Sequence, residues 1–225
     1  HYPYCDGNNV IFDSEIGITQ NVRFHQYRGS KILIVGAGPT TNEYEWNPQE
    51  YDFVFSCNHF FLCPKFHGIR VDFADICPEV DVYSPEFTQL INTSDTLFCI
   101  ENADMQPEKS RYLFDIARVS FSVLRLNLKM GTTGRLLIIA SWFQPREIHV
   151  VGMDGVPKTG ILSGQNCKHS FQPNKGMFKN ISYDMCYREY QMLWKYLKED
   201  IGKNIKYKNL GHGHPYNVST AFNIL

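Results

Sequence analysis

The run Lys31-Ile-Leu-Ile-Val35 passes without a break into Gly36-Ala-Gly-Pro-Thr40, and this junction narrows the possible folds more than any other stretch. A short, continuous apolar run suits a strand buried on both faces, and such strands belong to parallel sheets covered by helices. Similar runs recur at 52–56, 71–76, 96–100, 147–151 and 204–209. Helical signals fall between them. Gln106 to Val119 carries Pro107 near its start, where a missing N–H costs nothing. The stretch 133–143 is apolar on several faces and halts at Pro145, as a buried crossover helix would. Tyr183, Cys186, Tyr190, Leu193, Leu197 and Ile201 repeat at three- and four-residue spacing, which predicts a helix over 183–201 with Gly202 as its C-cap. Strands alternating with helices imply a Rossmann-like α/β fold with a doubly wound, largely parallel sheet. In such sheets the ligand sits beyond the carboxyl ends of the strands.

The 225 residues suit one α/β domain over 1–225, with 1–29 as an N-terminal arm and 156–179 as a lid loop. Loops longer than about 15 residues without internal structure are commonly functional. The formal net charge is −1 and the 22 basic residues are scattered, which argues against duplex nucleic acid as a partner. No apolar run approaches the roughly 18 residues needed to span a bilayer. His1 to Arg28 has neither the basic start nor the apolar core of a signal peptide. The expectation is a cytoplasmic protein, at most peripheral to a membrane, with homo-oligomerisation left open. Cys5, Cys57, Cys63, Cys77, Cys99, Cys167 and Cys186 form no C-x-x-C pair and are odd in number. They fit free, mostly buried thiols in a reducing compartment.

Several residues at the expected strand ends can carry chemistry. Gly36 and Gly38 allow close approach of a ligand, and the N–H groups of a turn through Thr40 can point at phosphate. Thr41 stands where a full G-x-G-x-x-G needs its third glycine, and Pro39 removes a donor, so a nicotinamide cofactor is disfavoured and no other cofactor is expected. Asn58 ends the second strand and can both donate and accept, either to a nucleotide or to a local turn. Thr132-Thr133-Gly134 opens a helix and offers hydroxyls and N–H groups to an anion, or simply caps the helix. Asp154 closes Glu147-Ile-His-Val-Val-Gly-Met-Asp-Gly155, where it positions a ligand hydroxyl or caps the next turn. His169, His212 and His214 are the histidines late in the chain, and histidine is a natural general base near neutral pH. Glu79-x-Asp81 imitates an acid-x-acid metal motif without its usual context, so no metal site is expected.

In order and separation, ILIVGAGPT…YDFVFSCNHF and TTGRLLIIASWFQPREIHVVGMDG resemble the two long motifs of the sialyltransferase-type glycosyltransferases. The likeness covers about residues 31–62 and 131–155 and, more loosely, the tail to 210. The bacterial branch is the better match. Animal members join the two motifs by a disulfide, and the corresponding places here carry no Cys.

The resemblance implies a sialyltransferase-like variant of the GT-A fold. It also implies that Gly36, Gly38, Pro39, Thr40, Asn58, Thr132, Thr133 and Gly134 hold the donor nucleotide; Asp154 joins this nucleotide-binding set from its own place at a strand end. One departure stands out. The family's catalytic histidine precedes the last long helix, where this chain reads Asn180-Ile-Ser-Tyr-Asp184. The general base is then sought first at His169, in the lid, and second at His212. The expected reaction is inverting, metal-independent transfer of a sugar from a nucleotide-activated donor, CMP-linked or otherwise, to a hydroxyl of a glycan acceptor. A pyrophosphokinase-like phosphotransferase, which would need magnesium, and a non-catalytic nucleotide-binding module are the alternatives.

Overall fold

A computed structural model describes residues 10–12, 22–101, 106–115, 119–123, 131–155, 169–172 and 182–211. Eight strands run through it in chain order: β1 (Val10–Phe12), β2 (Lys31–Val35), β3 (Phe53–Cys57), β4 (Phe73–Ile76), β5 (Leu97–Glu101), β6 (Val119–Val123), β7 (Glu147–Val151) and β8 (Lys206–Asn209). Five α-helices are interspersed: α1 (Thr40–Glu43), α2 (Pro85–Thr93), α3 (Pro107–Asp115), α4 (Thr132–Trp142) and α5 (Tyr183–Tyr196). The strands form one sheet in the order β1-β6-β5-β4-β3-β2-β7-β8. Every neighbouring pair is parallel. From β2 the chain steps outward through β3, β4, β5 and β6, then returns to lay β7 on the other side of β2. The strand order therefore reverses between β2 and β7, the place where doubly wound sheets hold their ligands.

Burial explains the order. Ile32 to Val35 in β2 and the whole of β4 are buried, as expected for central strands covered on both faces. β8 alternates exposed Lys206 and Lys208 with buried Tyr207 and Asn209, and its lysines discourage pairing with another chain. In α4 every residue except Arg135 is buried, so the helix is apolar all round and lies inside the molecule, against β2, β3 and β4. Phe24 and Tyr27, from the 3₁₀ turn Val22–Tyr27, pack in the core, Phe24 stacking on Phe143 and meeting Phe73 edge-on while Tyr27 meets Phe55 edge-on. The end of the expected N-terminal arm is thus core, while β1 forms a sheet edge.

Three elements depart from the sequence expectation. The helix expected over 106–119 ends at Asp115, and Val119–Val123 is a strand. The helix α2 has no counterpart among the periodic segments, although Ser84 accepts the Phe87 N–H and Pro85 occupies the first turn. The last turn of the 183–201 helix widens, so that Gly202 N–H donates to Leu197 O at 2.7 Å, one residue further back than α-helical bonding. Cys57, Cys63, Cys77, Cys99 and Cys186 are free and buried. Among the described residues no helix is long and apolar enough to cross a membrane.

Candidate functional site

The turn after β2 and the turn after β7 meet at the switch point. Gly36 N–H donates to Val151 O and Gly38 N–H to Gly152 O, each at 2.8 Å. A Cβ on Gly36 would stand 2.6 Å from Gly152 O and 2.7 Å from Thr133 Oγ1, and one on Gly38 would overlap the Asp154 carboxylate. The glycines are therefore required by the packing of one turn on the other. Gly152 lies at φ +74, where a side chain is strained in any case.

Asp154 is buried and organises this junction. Its Oδ2 accepts the Thr40 N–H at 2.9 Å, and its Oδ1 accepts the Thr40 hydroxyl at 2.5 Å. The Thr40 Oγ1 in turn accepts the Gly152 N–H at 3.0 Å. Thr41 donates its hydroxyl to Gly36 O at 2.6 Å. Hence the N–H groups of Gly36, Gly38 and Thr40 are all spent inside the protein, and Pro39 has none. From α5, the Tyr190 hydroxyl reaches the Gly155 backbone. Burial first, then the Cys186 thiol and the Asp154 carboxylate, push its pKa well above the ordinary value.

Asn58 has φ 50, a left-handed conformation that Asn tolerates better than most residues. Its Oδ1 accepts the Cys77 N–H and its Nδ2 donates to Thr132 Oγ1, each at 2.9 Å. One side chain thereby ties the end of β3 to the end of β4 and to the start of α4. At that start Gly131 is the N-cap and no side chain among the described residues caps the turn. The first-turn N–H groups of α4 thus face the carboxyl edge with the positive end of the helix dipole behind them. Thr133 lies between Gly36 and Cys57, whose Sγ is 3.6 Å from its hydroxyl. Burial pushes the Cys57 thiol up to about 12, so it stays protonated and unreactive.

The segment 169–172 is fastened over the Gly-rich turn. Ser170 donates its N–H to Ala37 O at 2.8 Å and its hydroxyl to Gly38 O at 2.7 Å. His169 therefore stands at the crevice, half-buried. Its Nδ1 accepts the N–H groups of Phe171 and Gln172 at 3.2 and 3.0 Å, which places the proton of the neutral ring on Nε2. Gly211, at the end of the last strand, packs on Thr40, since a Cβ there would stand 2.6 Å from Thr40 Oγ1. His212, His214 and most of the expected lid 156–179 lie outside the described residues. Glu79 is exposed and Asp81 accepts the Tyr83 N–H. Among the described residues no three His, Cys, Asp or Glu side chains cluster as a metal site would need.

Sequence reasoning passes over Ser170, Asp75 and Arg135. Asp75 is the next-to-last residue of β4, under the first turn of α4, and is buried. Arg135 Nε lies 3.9 Å from its Oδ2, near enough for attraction but too far for a hydrogen bond, and Oδ2 has no hydrogen-bond partner among the described residues. Burial raises the Asp75 pKa to about 6, and the Arg135 charge only partly opposes this. An acidic residue inside the apolar run 71–76 is the signal that could have found it.

This carboxyl has a measurable signature. A pKa raised on folding contributes stability that is complete below the unfolded value of 3.8 and is lost as pH rises through about 6. Between pH 4 and 7.5 the loss is about 2 kcal/mol, part of the effect being already gone at pH 4. Asp75→Asn removes it. Its unfolding free energy relative to the unsubstituted chain should therefore rise by about that amount over this window, measured by denaturant titration at both pH values. A difference that does not change with pH would show that Asp75 does not titrate there.

The architecture is that of a Rossmann-like, doubly wound α/β protein with its polar crevice at the switch point. No protein-family model matches the chain, and no curated protein matches it by sequence. Among solved structures it is similar to the Campylobacter jejuni sialyltransferase CstII in complex with cytidine-5'-monophosphate. The TM-score is 0.55 at 18% identity, over 87% of this chain and 84% of that one. It is likewise similar to sialyltransferase CST-II with a trisaccharide acceptor and CMP, with TM-score 0.51 and 16% identity over 85% and 84% of the two chains. The monofunctional alpha-2,3-sialyltransferase Cst-I of Campylobacter jejuni matches with TM-score 0.51 and 16% identity over 79% and 74%. At such identities the likeness establishes the fold.

Proposed function

We propose that the chain is a glycosyltransferase that moves a sugar from a nucleotide-activated donor to a hydroxyl of a glycan acceptor, with inversion and without a divalent metal. The observation that carries this reading is the first turn of α4, which has a glycine N-cap and no side-chain cap among the described residues. Thr132 and Thr133 sit in it, Asn58 is tied to it, and it opens on the switch point of a fold whose solved examples include CMP complexes. The anionic part of the donor lies against this turn. An acceptor hydroxyl gives up its proton and attacks the anomeric carbon from the face opposite the leaving nucleotide. As the sugar-to-phosphate bond breaks, charge grows on the departing phosphate, where fixed N–H groups and hydroxyls stabilise it without reorganising. The lid loop 156–179, pinned at Ser170, keeps water from the activated sugar.

One feature favours the non-catalytic alternative, a module that binds nucleotide without turnover: the engaged Nδ1 of His169. The test separates the readings. Nucleotides and nucleotide sugars, CMP among them, should raise the melting temperature by mass action, and Asn58→Ala should diminish that shift. Turnover of the donor should persist in excess EDTA. Activity that vanishes and returns with magnesium would move the chain to the phosphotransferase reading. Binding without any turnover would leave the non-catalytic module.

A further inference from the structure

Beyond Cys77, held by Asn58, the chain runs along the carboxyl edge away from the switch point. Val80 and Val82 are fully buried, while Asp81 and Tyr83 between and after them face outward. The turn is firmly built. Asp81 Oδ1 accepts the Tyr83 N–H at 3.0 Å, and the Ser84 hydroxyl donates to Asp81 O at 2.9 Å. Lys109, on α3, donates to Pro78 O at 2.7 Å and Val80 O at 3.1 Å, clamping the turn to that helix. Tyr83 is nevertheless 53% exposed. Its ring centroid lies 4.9 Å from that of Tyr112, with the planes at 53°. The two rings, with Pro107, Glu108, Arg111 and Asp115, line a groove of about 360 Å³.

An exposed ring on a rigid turn, set against a half-buried ring on α3, gains little from burial, which makes it better suited to a ligand than to the core. The C–H groups on one face of a pyranose are apolar and slightly positive, and they pack on the negative face of an aromatic ring. Its hydroxyls both donate and accept, which matches the carboxylates of Glu108 and Asp115 and the guanidinium of Arg111. Both signs of charge line the groove, so a neutral sugar fits it better than a compact anion or cation. The volume lies at the small end of ligand sites and suits the end of a short oligosaccharide. We infer that Tyr83 and Tyr112 form a sugar-stacking platform on which the glycan acceptor lies, its reactive end directed along the 77–83 turn toward Asn58. The platform's role as acceptor subsite rests on the glycosyltransferase reading; its chemistry as a saccharide site does not.

The test uses the full chain with lactose, maltotriose and chitotriose, with and without saturating CMP. Saturation-transfer NMR should show magnetisation reaching the sugar ring protons of at least one saccharide. That signal should fall at least about tenfold in Tyr83→Ala and be kept in Tyr83→Phe, which retains the ring. Tyr112 is half-buried, so the more exposed Tyr83 carries the test, with its melting temperature measured alongside. The CMP-induced melting shift should be unchanged in Tyr83→Ala. No saccharide signal in either state, or a signal of equal strength in Tyr83→Ala, overturns the platform. The nucleotide arm keeps the two ideas apart. A sugar signal that disappears in Tyr83→Ala, from a chain that binds no nucleotide, sinks the transferase reading and supports the platform.

Discussion

Replacing Asp154 by alanine is expected to lower stability by about 3–5 kcal/mol and to remove nucleotide binding along with it. The carboxylate is buried and accepts two hydrogen bonds from Thr40, one from the backbone and one from the hydroxyl. Its loss orphans a buried N–H and a buried hydroxyl, each costing about 1–3 kcal/mol, and leaves a void against Gly38. The Thr40 hydroxyl also holds the Gly152 N–H, so the turns after β2 and β7 loosen together. For a chain of this length each kcal/mol moves the melting temperature by about 2–4 °C, which gives a fall of roughly 6–20 °C. Asp154→Asn keeps the shape and one acceptor oxygen, and should recover part of the loss. Melting within about 2 °C of the parent for Asp154→Ala would mean that the junction is held by packing alone.

The central sheet is legible because burial on both faces writes itself as a continuous apolar run. β2 and β7 begin and end where the sequence places them. The edges are harder. Val119-Ser-Phe-Ser-Val123 alternates with a period of two, a strand signature, but it follows closely on a helical stretch whose pattern runs into it. The start of α2 is written in Ser84-Pro85-Glu86, a short local signal easily lost beside stronger periodic ones. Pattern reasoning sees faces and ends of elements, and misses short elements between them.

The crevice divides in the same way. Gly36, Gly38, Asn58, Thr132 and Thr133 close strands or open a helix, and topology alone brings such positions to one edge. What topology does not disclose is how each polar group is spent. Asp154 and Thr40 are 114 positions apart and satisfy each other, so the turn's N–H groups face inward. The Ser170 hydroxyl reaches across 132 positions to Gly38 O, and Asp75 pairs with Arg135 from another element. No local spacing encodes interactions of that range. They follow from the fold, and only then change what each residue can do.

Identifying the general base depends on the same distinction, and single histidine variants are expected to give the largest kinetic effect. A base must reach the acceptor hydroxyl with an unprotonated nitrogen. At His169 that nitrogen, Nδ1, is held by two backbone N–H groups, which leaves the proton of the neutral ring on Nε2. Taking a proton at Nδ1 would break both bonds. His212 follows Gly211 in the chain, and Gly211 packs directly on Thr40 of the Gly-rich turn. We therefore expect His212→Ala to lower kcat by roughly 10²- to 10⁴-fold with little change in donor KM. His169→Ala should act mainly on donor KM, and His214→Ala weakly on both. Steady-state kinetics on the three variants, with melting temperatures as controls, decide the assignment. A kcat loss confined to His169→Ala would return the base to the lid. Near-normal kcat in all three would remove histidine from the reaction and leave Asp184, exposed in the first turn of α5, as the carboxylate to test, because Asp154 is committed to Thr40.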